Sequence, residues 1–210
     1  MAQNAEVIHP GDNLSDHFTY RFPSFADARI LFKNGTVSVA TMNFNTFLCK
    51  MQFIDAKGDT LVLSKPEEID SISLNSHTFY YDKGYYEIIA RSDSVMLVVL
   101  SKVHVDVIVV GALGVRTRTA SIASFDSYIT PSGWTKFEGK DDLSVEKETT
   151  YFLIGKNGIN VAASKAGFLK VFATDKKNVD GFLKANKINF NNRDDLEKLL
   201  VFCTRPKTNF

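Results

Sequence analysis

The sequence predicts an α+β fold: an antiparallel β-meander, forming a curved sheet, a sandwich or a barrel, followed by a small three-helix C-terminal region packed on it. Three observations carry this. Alternating apolar and polar segments are punctuated by turn signals roughly every ten residues up to about residue 110. After residue 163 the apolar spacing changes from two to three and four, the helical period. The chain also holds 17 Phe and 7 Tyr against one Trp, a composition that suits a β-rich core.

Taken in order, residues 1–17 are polar and read as a flexible arm. Segments 28–33 and 36–43 flank Asn34-Gly35, the strongest short hairpin signal. Segments 47–54 and 60–63 flank Ala56-Lys57-Gly58-Asp59, a second hairpin with a longer turn. After Pro66, residues 69–74 alternate again, and 78–81 and 85–91 flank Asp82-Lys83-Gly84, a third hairpin. Residues 95–110 supply one long strand or two. The stretch 111–139 changes character: it is rich in Gly, Ser and Thr, holds Trp134, and reads as a long functional or mobile loop. Segments 149–154 and 159–162 then pair across Gly155-Lys156-Asn157-Gly158.

The remainder is helical. Ser164 caps a short helix whose Phe168 and Phe172 share a face. Thr174 or Asp175 opens a second, with Val179, Phe182 and Leu183 inward. Asn192 caps a third, where Asp194 and Asp195 suit the positive N-terminal end. The expected organisation is an arm (1–17), a β domain (18–162) and a helical region (163–210) too short to fold alone.

Composition narrows the function. The formal charge is +1, so no net field steers the chain to nucleic acid, and a nucleic-acid partner is not expected. Lys83-Gly84-Tyr85-Tyr86 resembles the start of an RNA-binding strand motif, but Glu87 stands where that motif needs an aromatic. No run reaches the ~20 apolar residues that span a bilayer as a helix. The best candidate, 95–115, is broken by Lys102, His104 and Asp106 in alternation with valines, the mark of a half-buried strand. Two cysteines are too few for a disulfide scaffold. Cys49 falls on an alternating apolar face with Phe47, Met51 and Phe53, and Cys203 shares a helix face with Leu196, Leu199 and Leu200. Both read as buried thiols, with a Cys49–Cys203 disulfide as the alternative.

The strings KMQFIDAKGDTLVL (50–63), YYDKGYYEII (80–89) and FLKANKINFNNRDDLEKLLVFC (182–203) resemble a group of uncharacterised, signal-peptide-bearing proteins of Bacteroidetes-type bacteria. The resemblance covers most of 28–110 and 145–203. It implies a periplasmic or secreted location and no chemistry. The start Met1-Ala2-Gln3 reads as a mature N-terminus with its signal peptide removed.

Tests for chemistry return no strong pattern. His9, His17, His77 and His104 lack metal-ligand spacing, and no cofactor or metal is expected. Glu67, Glu68 and Asp70 at a turn, and Asp141, Asp142, Glu146 and Glu148 about a strand, read as solvated carboxylates. There is no G-x-S-x-G elbow and no phosphate-binding glycine loop. The main surface candidate is the tyrosine hairpin, Tyr80, Tyr81, Tyr85 and Tyr86, together with Trp134. Cross-strand aromatic pairing explains it structurally; an exposed platform for a protein or glycan explains it functionally. The expectation is therefore a non-enzymatic exported envelope protein that binds or scaffolds a partner. The alternatives are a carrier of a small apolar ligand or lipid in a β cavity, and an enzyme with a site gathering His104, a carboxylate and a hydroxyl near 111–139.

Overall fold

A computed structural model describes residues 5–12, 16–111, 116–119, 129–130, 133–134, 141–156 and 160–205. The strands are β1 (Glu6–Ile8), β2 (Ala26–Phe32), β3 (Val37–Asn45), β4 (Lys50–Ile54), β5 (Thr60–Val62), β6 (Ile69–Leu74) and β7 (His77–Tyr81), then β8 (Tyr85–Arg91), β9 (Val95–Val110), β10 (Arg116–Thr119), β11 (Ile129–Thr130), β12 (Gly133–Trp134), β13 (Asp142–Gly155) and β14 (Asn160–Ala162). The helices are α1 (Asp16–Thr19), α2 (Lys165–Val171), α3 (Lys176–Ala185) and α4 (Arg193–Thr204). The α+β class holds: an antiparallel sheet precedes the C-terminal helices α2, α3 and α4. The strand order is β1-β13-β9-β8-β7-β6-β2-β3-β4-β5, with β10 on β9 and β14 on β13. It ends on β1 and β5, which do not pair with each other, so the sheet is not closed into a barrel.

The turns form as their residues dictate. At Asn34-Gly35 the glycine adopts φ +84°, a left-handed conformation that other residues rarely take. Asn34 Oδ1 accepts from the Thr36 amide (2.9 Å) and hydroxyl (2.7 Å), locking the turn. Asp55 Oδ1 accepts from the Lys57 and Asp59 amides, both at 2.8 Å, and fixes the β4–β5 hairpin. At the β7–β8 turn Lys83 takes φ +57°. Residues 95–110 are one strand, β9. Asn157 and Gly158 of the expected last turn lie outside the described residues.

Three expectations are corrected. Residues 6–8, assigned to the flexible arm, are strand β1 and pair with β13, because Ile8 buries its side chain among Phe18, Val105, Val107, Leu143 and Val145. Residues 47–49, expected as strand, belong to the turn 46–49, in which Cys49 adopts φ +51°, so its place on a strand face is lost. Within 111–139, residues 116–119 pair with β9, and 129–130 pair with 133–134; residues 112–115, 120–128, 131–132 and 135–139 lie outside the described residues.

The chain divides into two compact units. The first comprises 1–85 and 101–148, the second 86–100 and 149–210, so the helices share a unit with strand segments across the 162/163 boundary drawn from sequence. In the first unit Ala28, Ile30, Met42, Phe44, Ile72, Leu74 and Phe79 alternate inward and form one core. In the second, Val95, Leu97 and Leu153 pack with Phe168, Val179, Leu196, Leu199 and Leu200. Ser164 caps α2 by accepting from the Gly167 amide, and Asn192 caps α4 by accepting from the Asp195 amide. A Cβ at Gly167 would lie 2.0 Å from the Ala162 carbonyl oxygen, so only glycine lets α2 approach β14 this closely.

Candidate functional site

In the tyrosine hairpin Tyr85 is buried, and Tyr80, Tyr81 and Tyr86 are half-buried. Tyr85 is 2% exposed and belongs to the first unit's core, where it meets Phe44 at 6.1 Å and Tyr81 at 5.1 Å between ring centroids. Burial is the main cause that pushes its phenol well above the usual range, with Tyr81 and Glu67 adding to it. Tyr81 is half-buried against that core. Tyr86, in the second unit, is half-buried with its ring edge-on to Phe152 at 5.8 Å. Tyr80 is half-buried, its hydroxyl shielded from solvent. The backbone of Trp134 pairs with Ile129, and its side chain lies outside the described residues. Pairing of rings, the structural explanation, accounts for Tyr81, Tyr85 and Tyr86.

A different surface emerges on β3. Its residues 38, 40, 42 and 44 point to one side and 37, 39, 41, 43 and 45 to the other. The second side inverts the usual rule that apolar residues lie inside and polar ones outside. Val37 and Val39 are 47% and 67% exposed, whereas Asn43 and Asn45 are 1% and 0% exposed.

The amides are buried because they are satisfied. Asn43 Nδ2 donates to the Phe22 carbonyl (2.9 Å), and its Oδ1 accepts from the Phe44 (2.9 Å) and Phe22 (3.3 Å) amides. Asn45 Nδ2 donates to Gln52 Oε1 (3.1 Å), while its Oδ1 accepts from the Phe47 (3.0 Å) and Leu48 (2.9 Å) amides. The Thr46 hydroxyl donates to the Phe18 carbonyl. The Asn43 and Thr46 bonds tie the segment 18–22 alongside that end of β3, where Tyr20 bridges Asn45 and the Arg21 amide donates to the Phe44 carbonyl, and every buried polar atom so paired avoids the cost of desolvation.

The valines continue across neighbouring strands. Val39 pairs with Arg29, Arg29 with Ser73 and Ser73 with Thr78, one cross-strand row. Val37 pairs with Leu31, and Leu31 with Ser71, a second row beside it. By alternation Tyr80 lies on the same side as Thr78. The result is a face in which two exposed valines and half-buried Leu31 are ringed by hydroxyls and by exposed Arg29. The exposed valines gave no sequence signal that could distinguish them from core positions, since alternation shows which residues share a side but not which side is covered.

Elsewhere the polar groups are modest. His104 Nε2 lies 3.0 Å from Asp106 Oδ1 on β9, and His9 Nδ1 lies 2.7 Å from Asp142 Oδ1. Glu87, 3% exposed on β8, faces Arg193 of α4 at 3.7 Å. Among the described residues, no three His, Cys, Asp or Glu come together as metal ligands. Both thiols are free. Burial pushes both upward, Cys203 to about 12; at Cys49 it outweighs the opposing pull of Lys102 and Lys50. Two open hollows lie at turns: one of about 250 Å³ beside Ser92–Val95 and Ile154–Lys156, the other of about 360 Å³ between Lys33 and Glu67. No helix among the described residues is long and apolar enough to cross a membrane.

Comparison with known protein families, with curated proteins and with solved structures finds no match to this chain.

Proposed function

We propose that this chain is a non-enzymatic binding or scaffolding protein whose contact surface is the outer side of β3-β2-β6-β7. One observation carries the reading: Val39 and Val37 are exposed on the side of β3 whose other end buries asparagines. Exposed apolar side chains clustered within a polar rim are the usual mark of a binding face. Leaving two valines in water costs free energy that a partner would recover, about 25 cal/mol for each Å² of apolar surface covered.

The chemistry favours a protein partner over a glycan. Sugars stack on open aromatic faces. Here Tyr81, Tyr85 and Tyr86 are engaged with other rings, and the exposed groups are branched aliphatics, hydroxyls and Arg29. A flat segment that offers aliphatic side chains and a carboxylate for Arg29 fits best.

The reading includes export to the periplasm or exterior, supported by the resemblance of residues 50–63, 80–89 and 182–203 to signal-peptide-bearing proteins. The experiment is native mass spectrometry of protein recovered from its host's envelope after mild cross-linking, for the natural chain and for Val39→Lys. A defined second polypeptide that is lost in Val39→Lys supports the reading. A partner held equally by both overturns the assignment of the face. A small added mass that vanishes on denaturation replaces it with the carrier of an apolar ligand.

A further inference from the structure

β5 ends the strand order, and among the described residues β4 is its only neighbour. Two backbone bonds fix which of its groups look outward. Asp55 N donates to Asp59 O and Leu63 N donates to Met51 O, each at 2.9 Å. Hydrogen-bonded pairs alternate along an antiparallel ladder, so Leu61 turns its backbone groups to its partner Phe53. Thr60 and Val62 therefore turn their N–H and C=O groups to the open side.

That edge is defended only by its length of three residues. Natural edges are also blunted by a charge, a proline or a bulge that blocks pairing with another chain. Thr60-Leu61-Val62 has none of these, and Leu61 and Val62 are 41% and 37% exposed. The pattern is also its own complement. In an antiparallel arrangement centred on Leu61, Thr60 stands opposite Val62 of a second copy, and each outward N–H meets an outward C=O. The partial charges match at Thr60 and Val62, the two positions whose backbone groups face outward. Leu61 then faces Leu61 of the second copy in a non-hydrogen-bonded pair, where Cα atoms approach to about 4.5 Å and side chains are closest.

We infer that β5 is a self-pairing edge, through which two copies of this chain join antiparallel about a two-fold axis at Leu61. The inference rests on the reading of the chain as a binding or scaffolding protein, and deepens it. Val62 pairs with Gln52 and Gln52 with Asn43, so Val62 lies on the same side as Val37 and Val39. Continuing the sheet through β5 sets the valine faces of both copies on one side, as a scaffold requires.

Two variants test it. Val62→Pro removes one outward N–H from each copy and leaves the β4–β5 bonds in place, since Val62 makes none of them; proline is tolerated at an open edge. Sedimentation over a concentration series should show the natural chain moving from 23.5 kDa towards twice that mass. Val62→Pro should weaken this by at least about tenfold, the factor carried by two lost hydrogen bonds. Leu61→Cys should form an intermolecular disulfide under mild oxidation, because the Cα separation of that pair suits one, and Val62→Cys should not. Peptide mapping separates this bond from Cys49 and Cys203. A chain that stays monomeric throughout, with no Leu61→Cys cross-link, overturns the inference, as does a dimer indifferent to Val62→Pro. A partner bound at Val39 by a strictly monomeric chain overturns self-pairing and leaves the binding reading standing.

Discussion

The two ends of one side of β3 differ in a way that reverses expectation. At the C-terminal end Asn43 and Asn45 are buried; at the N-terminal end Val37 and Val39 stand in water. The backbone is the same strand and the side chains share one parity. What differs is the set of partners. The segment 18–22 pairs alongside the amide end and supplies Phe22 as a hydrogen-bond partner of Asn43, while Gln52 bonds Asn45. Burial on this side of β3 is thus decided by hydrogen-bond satisfaction, and exposure of the valines by the lack of any described segment above them. The lesson is that a polar side chain with all its partners is a structural element, and that side-chain polarity alone does not decide which end of one strand side is buried.

The largest effect should come from the opposite side of the strand, where Phe44 is fully enclosed with Phe79 and Tyr85. Phe44→Ala is expected to cost about 3–5 kcal/mol in a urea titration, through lost transfer energy and the cavity left behind. If Phe44→Ala cost no more than Val39→Lys, the two sides would be equivalent and the comparison would fail.

Next comes the buried amide. Asn45→Ala strands the Phe47 and Leu48 amides and one partner of Gln52, and should cost about 2–3 kcal/mol. Loss of protection of those two amides in hydrogen exchange would locate the damage. A neutral result would show that water replaces the side chain and that the 46–49 turn does not depend on it.

Tyr85→Phe should go the other way. The Tyr85 hydroxyl is buried and has no hydrogen-bond partner among the described residues. Removing it should leave stability unchanged or raise it by up to about 1 kcal/mol, since an unpaired buried hydroxyl is a net cost. Destabilisation by more than that would reveal a partner for the phenol. The smallest effect is expected at Val39→Lys, within about 0.5 kcal/mol by thermal melting, as for other exposed positions.

Much of this architecture was legible in the sequence. Asn34-Gly35, the Asp55-to-Asp59 turn, Ser164 and Asn192 act locally, through their own hydrogen bonds, so they could be read without neighbours. The helical leucines Leu196, Leu199 and Leu200 are likewise set by spacing alone, and are buried as expected. Three features were not legible. Strand β1 is only Glu6–Ile8, too short for a period to show, and it exists because Ile8 completes a core formed by residues distant in the chain. The tyrosine hairpin was recognised as aromatic, but which rings turn inward depends on the strands that flank it. Alternation alone does not tell Tyr85 in the core from Tyr80 opposite it. The valine face was missed for the same reason: the two ends of that side look identical until the partners of Asn43 and Asn45 are seen.

The most direct test of the central claim places a photo-cross-linker at Val39, and separately at Ser38, in the chain expressed in its own host. Both positions are exposed, on opposite sides of the same strand. The binding face proposed for β3-β2-β6-β7 predicts one adduct of defined mass from position 39 and none from position 38. Equal adducts from both, or none from position 39 while position 38 reacts, would contradict it.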